Sequence, residues 1–300
     1  MKLLVVLTGP TGVGKTRLSL KLASTLDSPV ISCDSRQMYR EMRIGTAAPD
    51  PEELEATAHF FIANLSVHDY YNAARFETEA LALMDRLFKT KDILLMTGGS
   101  MLYIDALCFG IDDMPDVDPQ LRKELEETLK EKGLSELLGQ LKVLDPEYYH
   151  TVDKRNHKRV LHALEICLMT GKAFSTFHRN TPKERNFDIL KICLNRDRTE
   201  LYRQIDQRVL LMVQQGLVEE AKKLYPYKGL NALNTVGYQE LFAHFEGKCS
   251  LEDAIRQIQF NTHKYARKQL TWFRKDKDYH WFHPDEEQDI LNLIQSYRKN

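Results

Sequence analysis

The chain has 300 residues, 43% hydrophobic and 28% charged, enough to bury one sizeable core in one or two domains. A formal net charge of -1 excludes a globally basic nucleic-acid binder, so such a partner would have to be held by local basic patches. Five cysteines without Cys-x-x-Cys spacing, a start straight into a strand and no apolar run of about 18 residues argue against a zinc site, a disulfide framework, secretion and membrane spanning, and for a reducing cytoplasm.

Leu3 to Thr8 reads as a buried strand, and Gly9-x4-Gly14-Lys15-Thr16 follows it with the spacing of a phosphate-binding loop ahead of a helix over Arg17 to Leu26. In such a loop the backbone N–H groups of Gly9, Pro10, Thr11, Gly12, Val13 and Gly14, proline excepted, can face one phosphate chain. Lys15 adds a full charge, and the Thr16 hydroxyl suits Mg²⁺. A second strand, Pro29 to Cys33, runs into Asp34-Ser35-Arg36-Gln37; a helix over Ala73 to Phe88 and a third strand, Asp92 to Thr97, lead into Gly98-Gly99-Ser100. This alternation predicts an α/β fold with a parallel sheet, whose ligands gather beyond the carboxyl ends of the strands. Asp34 is the only carboxylate at those three strand ends, which suits either a general base or a helix N-cap or salt-bridge partner. Gly98-Gly99-Ser100 suits a ligand or, equally, a plain turn with Ser100 as N-cap.

After Gly110 the punctuation by proline and glycine leaves helical spacing only, so residues 113–185 read as a helical insertion in a core made of 1–112 and 186–300. Pro115 to Asp118 marks a helix start there. Judged by charge pattern, Arg122 beyond it is a solvated arginine, and Lys154 to Arg159 forms a basic run. Strand character returns at Ile189 to Leu194, then a helix over Leu201 to Val213, further helices to about Lys275 and a closing aromatic run, Tyr279 to Phe282. Along His263 to Lys275, basic residues recur at i+3 and i+4 beside Tyr265 and Trp272, the pattern of a solvated face or of a contact with an RNA backbone.

Together these segments resemble the tRNA dimethylallyltransferase (tRNA isopentenyltransferase) family. The resemblance rests on Gly9 to Thr16, Asp34 to Arg40 with Ile44-Gly45-Thr46, Gly98 to Tyr103, Arg159 to Glu165, Gly237 to Glu240 and Tyr265 to Arg274. It implies a P-loop NTPase-like core with a helical insertion domain, and transfer of a prenyl group from dimethylallyl diphosphate to the exocyclic amine of the adenine 3′ to the anticodon, with Mg²⁺ required and pyrophosphate released. Under it, Lys15, Thr16 and the loop hold the diphosphate and the metal, and Asp34 takes the amine proton. The tRNA anticodon stem-loop is contacted by Asp34, Ser35, Arg36, Gln37, Ser100, Arg122, the run Lys158, Arg159, Val160, Leu161 and His162, and Arg267, Lys268 and Arg274. It further implies a cytoplasmic monomer of the compact bacterial form, without a membrane partner. An arginine often found just before the Gly-Tyr segment is missing from Ala232 to Val236, and Arg198 or Arg208 is the basic residue to take its place.

The phosphate loop and parallel sheet also fit a small-molecule kinase, which would have no need of the terminal basic helix. A prenyltransferase acting on free AMP would share Asp34 and the loop, and a non-catalytic RNA-binding protein would leave Lys15, Thr16 and Asp34 unexplained.

Overall fold

Every residue of β1 (Leu3–Thr8) is buried, because it is a central strand of a sheet covered on both faces. The computed structural model describes residues 2–112, 114–115, 118–178 and 181–299. The other strands are β2 (Val30–Ser32), β3 (His59–Phe60), β4 (Ile93–Thr97), β5 (Asp188–Leu194) and β6 (His280–Phe282), in the order β3-β2-β4-β1-β5-β6 with every neighbouring pair parallel. The helices are α1 (Lys15–Thr25), α2 (Pro51–Ala56), α3 (Ala73–Leu87), α4 (Met101–Phe109), α5 (Pro119–Lys132), α6 (Leu134–Leu144) and α7 (Pro146–Thr151). After them come α8 (His157–Thr170), α9 (Arg198–Gln214), α10 (Leu217–Leu224), α11 (Tyr238–Phe245), α12 (Leu251–Phe273) and α13 (Glu287–Lys299).

The chain divides into two compact units, Met1–Cys108 with Glu184–Asn300, and Phe109–Lys183. The first is a P-loop NTPase-like α/β unit. Alternation along β1 sends Leu3, Val5 and Leu7 into one layer with Leu18 and Leu22 of α1, Leu201 and Ile205 of α9, and Ile290 and Ile294 of α13. Two features go beyond the sequence reading. The edge strand β3 is only two residues long, too short for a periodic signal, and the chain does not end its order at the aromatic run, because α13 follows and buries Ile290, Leu291 and Ile294. Arg185, expected in the insertion, belongs to the first unit, where its guanidinium donates to Glu77 at 2.7 Å and to the carbonyls of Ala106 and Leu107, each at 2.9 Å. The expected insertion start at Asp113 lies outside the described residues, as do Asp116 and Val117 of the helix-start segment.

The second unit is all helical among its described residues. Leu125 of α5, Leu137 and Leu141 of α6, Val160, Leu161 and Leu164 of α8, and Phe174 form its own core. Beside that core the fully buried Asp145 accepts from the backbone N–H of Tyr148 and from Ser175, both N–H and hydroxyl, so one carboxylate ties the start of α7 to the turn after α8.

Candidate active site

The glycine loop leaves β1 at Gly9 and enters α1 at Lys15, which sets it at the N-terminus of that helix, the end that favours an anion; two of its own N–H groups are already engaged, Thr11's by Gln269 Oε1 and Val13's by the Pro10 carbonyl. Gly12 adopts φ +81°, and a side-chain carbon there would lie 2.7 Å from Ile205 of α9, so the loop can turn this tightly only with glycine. Lys15 Nζ donates to the carbonyls of Gly9 and Pro10, each at 2.9 Å. Burial, helped by the nearby Arg208 charge, lowers its pKa from 10.5 to about 8. The underside of the loop is braced by Arg196, whose Nε–H donates to the Val13 carbonyl at 2.9 Å.

At the end of β2, Asp34 lines a pocket of about 350 Å³ that also includes Thr11, Ser35, Ser100 and Arg208. Asp34 Oδ1 accepts from the N–H groups of Arg36 at 2.9 Å and Gln37 at 3.3 Å, so the carboxylate does cap the following turn. Both bonds fall on one oxygen, and Oδ2 remains for a ligand. Ser100 opens α4 with its carbonyl, which accepts from Tyr103 and Ile104 N–H, while its hydroxyl accepts from Ser35 N–H at 2.8 Å and donates to the Ser35 hydroxyl at 3.1 Å, joining the β4 turn to the Asp34 loop. The apolar part of the lining is made by Ile205, Val209 and Met212 of α9 and by Val236. A second carboxylate, Glu220 of α10, shapes the rim. It accepts from the N–H groups of Arg43, Ile44 and Gly45 and from the Tyr238 hydroxyl, all between 2.7 and 2.9 Å.

Of the two arginines considered for the missing basic residue, Arg208 is the one at the loop, its Nη1 donating to the Thr11 hydroxyl at 3.3 Å. Arg198 instead lies over the Tyr202 ring at 5.2 Å. The residues expected to hold the diphosphate, Gly9 to Thr16, thus form one continuous loop, of which Thr11 lines the pocket with Asp34 and Arg208.

The residues expected at RNA differ in their surroundings. Ser35 and Ser100 line the pocket; Arg267 and Lys268 lie exposed along the outer face of α12 with Lys264, and Arg274, its C-cap, and Lys275 are exposed just beyond its end. Arg36, which also lines the pocket, Gln37 and Arg122 are engaged internally: Arg36 donates to the carbonyls of Asn231 and Asn234, Gln37 to those of Thr46 and Ala47 at 3.2 and 3.0 Å, and Arg122 grips buried Glu165 through two N–H groups at 2.5 and 2.6 Å. Arg122 is therefore an ion-paired residue of the helical unit, with His162 Nδ1 on the same carboxylate at 3.4 Å. Lys158 and Arg159 are exposed at the start of α8, whereas the side chains of Val160 and Leu161 are 0% and 7% exposed. Helical spacing turns these two side chains into the unit's core, which leaves Lys158 and Arg159 as the outward-facing members of the run.

Gln269, to which the sequence reading gave no role, is the clearest omission. It bridges the phosphate loop and the β4 turn, donating to Gly99 and accepting from Thr11. A polar residue three after Ala266 and four before Phe273 lies on the buried face of α12, and that spacing was the available signal.

A Mg²⁺ ion fits this donor set. It takes one or two protein oxygens and completes its shell with water and phosphate oxygens, and the Thr16 hydroxyl at the start of α1 is a ligand of that kind. Among the described residues no group of three or more His, Cys, Asp and Glu would hold a metal without a substrate's oxygens, and no helix is long and apolar enough to cross a membrane.

The family model described as IPP transferase matches residues 37–276 of the chain. A protein of Porphyromonas gingivalis named tRNA dimethylallyltransferase 2 is 54% identical over 292 residues, covering 97% of each chain, and one of Bacteroides fragilis named tRNA dimethylallyltransferase 1 is 51% identical over 295 residues, covering 98% of each. Among solved structures, the full-length tRNA isopentenylpyrophosphate transferase of Bacillus halodurans is similar with a TM-score of 0.71 at 32% identity, covering 99% of this chain and 96% of that one. A eukaryotic dimethylallyltransferase acting on tRNA gives 0.83 at 25% identity, covering 100% of this chain and 80% of that one.

Proposed function

The chain belongs to the IPP transferase family and transfers a dimethylallyl group to tRNA; we propose that the donor is dimethylallyl diphosphate and the acceptor the exocyclic amine of the adenine 3′ to the anticodon. The observation that carries this reading is the make-up of one pocket. It has an anion-holding end at Thr11 and Arg208 beside the phosphate loop, an apolar wall of Ile205, Val209, Met212 and Val236 suited to a five-carbon chain, and the Asp34 carboxylate.

In this reading Lys15, Arg208 and the loop N–H groups other than those of Thr11 and Val13 hold the diphosphate and stabilise the negative charge that grows on it as the allylic carbon–oxygen bond breaks. Mg²⁺, when bound through Thr16 and diphosphate oxygens, supplies further neutralisation of that charge. The adenine amine is a weak nucleophile, its lone pair delocalised into the ring, so it must be oriented as well as deprotonated. The amine nitrogen bonds to the allylic carbon, pyrophosphate leaves, and the amine proton passes to Asp34 Oδ2. A base stacked in an anticodon loop cannot reach this pocket without being extruded, and the Ser35–Ser100 pair and Tyr265 line its path. The exposed basic face of α12 and the Lys158–Arg159 start of α8 serve as phosphate contacts. The enzyme works as a cytoplasmic monomer.

The acceptor assignment is tested with anticodon stem-loops in which that adenine is replaced by unsubstituted purine. Transfer is expected to vanish with the amine, and prenylation of the purine-bearing RNA at an unchanged rate would refute the assignment. Arg267→Ala with Arg274→Ala is expected to weaken RNA binding uniformly and reduce the slope of log affinity against log salt by about 2, measured by titration at several salt concentrations. An unchanged slope removes α12 from the footprint.

The depressed pKa of Lys15 sets a pH dependence. Only the ammonium form attracts the diphosphate, so the donor KM is expected to rise as pH climbs past about 8, the value of the free enzyme, and to level off only above the higher value that the bound anion imposes. The stability effect has the opposite sense. Between about 8 and 10.5 the unfolded chain holds a proton that the native state has released, so this group's contribution to stability rises with pH. A donor KM flat from pH 7 to 10 would show that Lys15 does not carry the anion.

A further inference from the structure

Gln269 sits on the inner face of α12, only 1% exposed, and both ends of its amide are used. Its Nε2–H donates to the Gly99 carbonyl at 2.8 Å and its Oε1 accepts from Thr11 N–H at 2.9 Å. The contact with the β4 turn depends on glycine, because a side-chain carbon at Gly99 would lie 2.5 Å from Nε2. The next residue, Ser100, holds Ser35 through two hydrogen bonds, and Ser35 adjoins Asp34. One buried amide therefore spans the two loops between which the reaction would take place, on the helix whose outer face carries Lys264, Arg267 and Lys268.

We propose that Gln269 is a positioning residue that fixes the separation between the diphosphate held by the phosphate loop and the base, Asp34, while touching neither substrate. The proposal rests on the prenyl-transfer reading. A carboxamide is suited to this task because it offers a donor and an acceptor side by side at one side-chain length, and burial removes the water that would otherwise replace either bond. Seating of α12 then governs the geometry at the loop, since the same helix meets the RNA on one face and the loop on the other.

Two variants test it. Gln269→Met keeps the length and removes both bonds. Its single-turnover rate is expected to fall about 100-fold, the size of effect an ångström of misplacement produces, with RNA affinity unchanged and a cooperative melting transition retained. Gln269→Glu keeps the acceptor for Thr11 N–H but turns a lone pair on the Gly99 carbonyl. Its rate relative to wild type is expected to climb as pH falls, because the protonated carboxyl regains an O–H to donate, and burial raises the pH at which that happens. A melting temperature that drops while turnover per folded molecule stays at the wild-type value would overturn the proposal, and so would a flat ratio for Gln269→Glu across pH. If Gln269→Met does not fold, that pH profile alone decides. A wild-type enzyme that transfers no prenyl group would bring down the reading itself, an outcome distinct from an active wild type with unaffected variants.

Discussion

Asp34→Asn is expected to slow single-turnover prenyl transfer about 10³-fold while leaving RNA affinity unchanged, the loss typical of removing a positioned general base. Asparagine is the informative replacement because its side-chain oxygen can still accept from Arg36 N–H and Gln37 N–H, so the turn after β2 keeps its two bonds and only the proton-accepting oxygen is lost. Asp34→Ala removes the cap as well and is expected to cost at least as much. Rapid quenching with excess enzyme measures the chemical step directly, and a filter-binding titration measures RNA. Normal chemistry with collapsed RNA binding would reduce Asp34 to a structural cap.

Lys15→Met should lower kcat by about 10² to 10³, the range for deleting one preorganised donor to a developing anion. The same substitution should leave thermal stability unchanged or raise it. Holding Lys15 charged works against folding, as its lowered pKa of about 8 records, and methionine fills the space without that cost. Loss of activity with a raised or unchanged melting temperature would separate catalysis from folding; inactivity accompanied by unfolding would contradict the assignment. Because Lys15 and Arg208 would address one diphosphate, Arg208→Ala combined with Lys15→Met is expected to cost less than the product of the two single effects.

How much of this was legible in the sequence followed from how local each signal is. The loop from Gly9 to Thr16, the strand ends bearing Asp34 and Ser100 and the parallel alternation are written in contiguous residues, and the α/β core folds as they require. Gln269 and Glu220 act on loops distant in sequence, Glu220 on residues 43–45 and Gln269 on Thr11 and Gly99; helical spacing marks Gln269 as buried, but the partners of both need the fold. Motif membership also does not say where a side chain points. Val160 and Leu161 share a motif with exposed Arg159 but face the core, and Arg36 and Gln37 follow Asp34 yet spend their donors on carbonyls of other loops. The amphipathic spacing of Ile290, Leu291 and Ile294 was readable as a helix, though its packing against β1 and α1 needed the fold.

The central claim is that the phosphate loop holds a leaving group rather than a phosphoryl donor. The direct measurement incubates the purified protein, Mg²⁺ and an unmodified anticodon stem-loop with either dimethylallyl diphosphate or ATP and weighs the RNA by mass spectrometry. The account predicts a gain of one prenyl group with the diphosphate and none with ATP. An RNA of unchanged mass in the first arm, with phosphorylation of RNA or a small acceptor in the second, would contradict it.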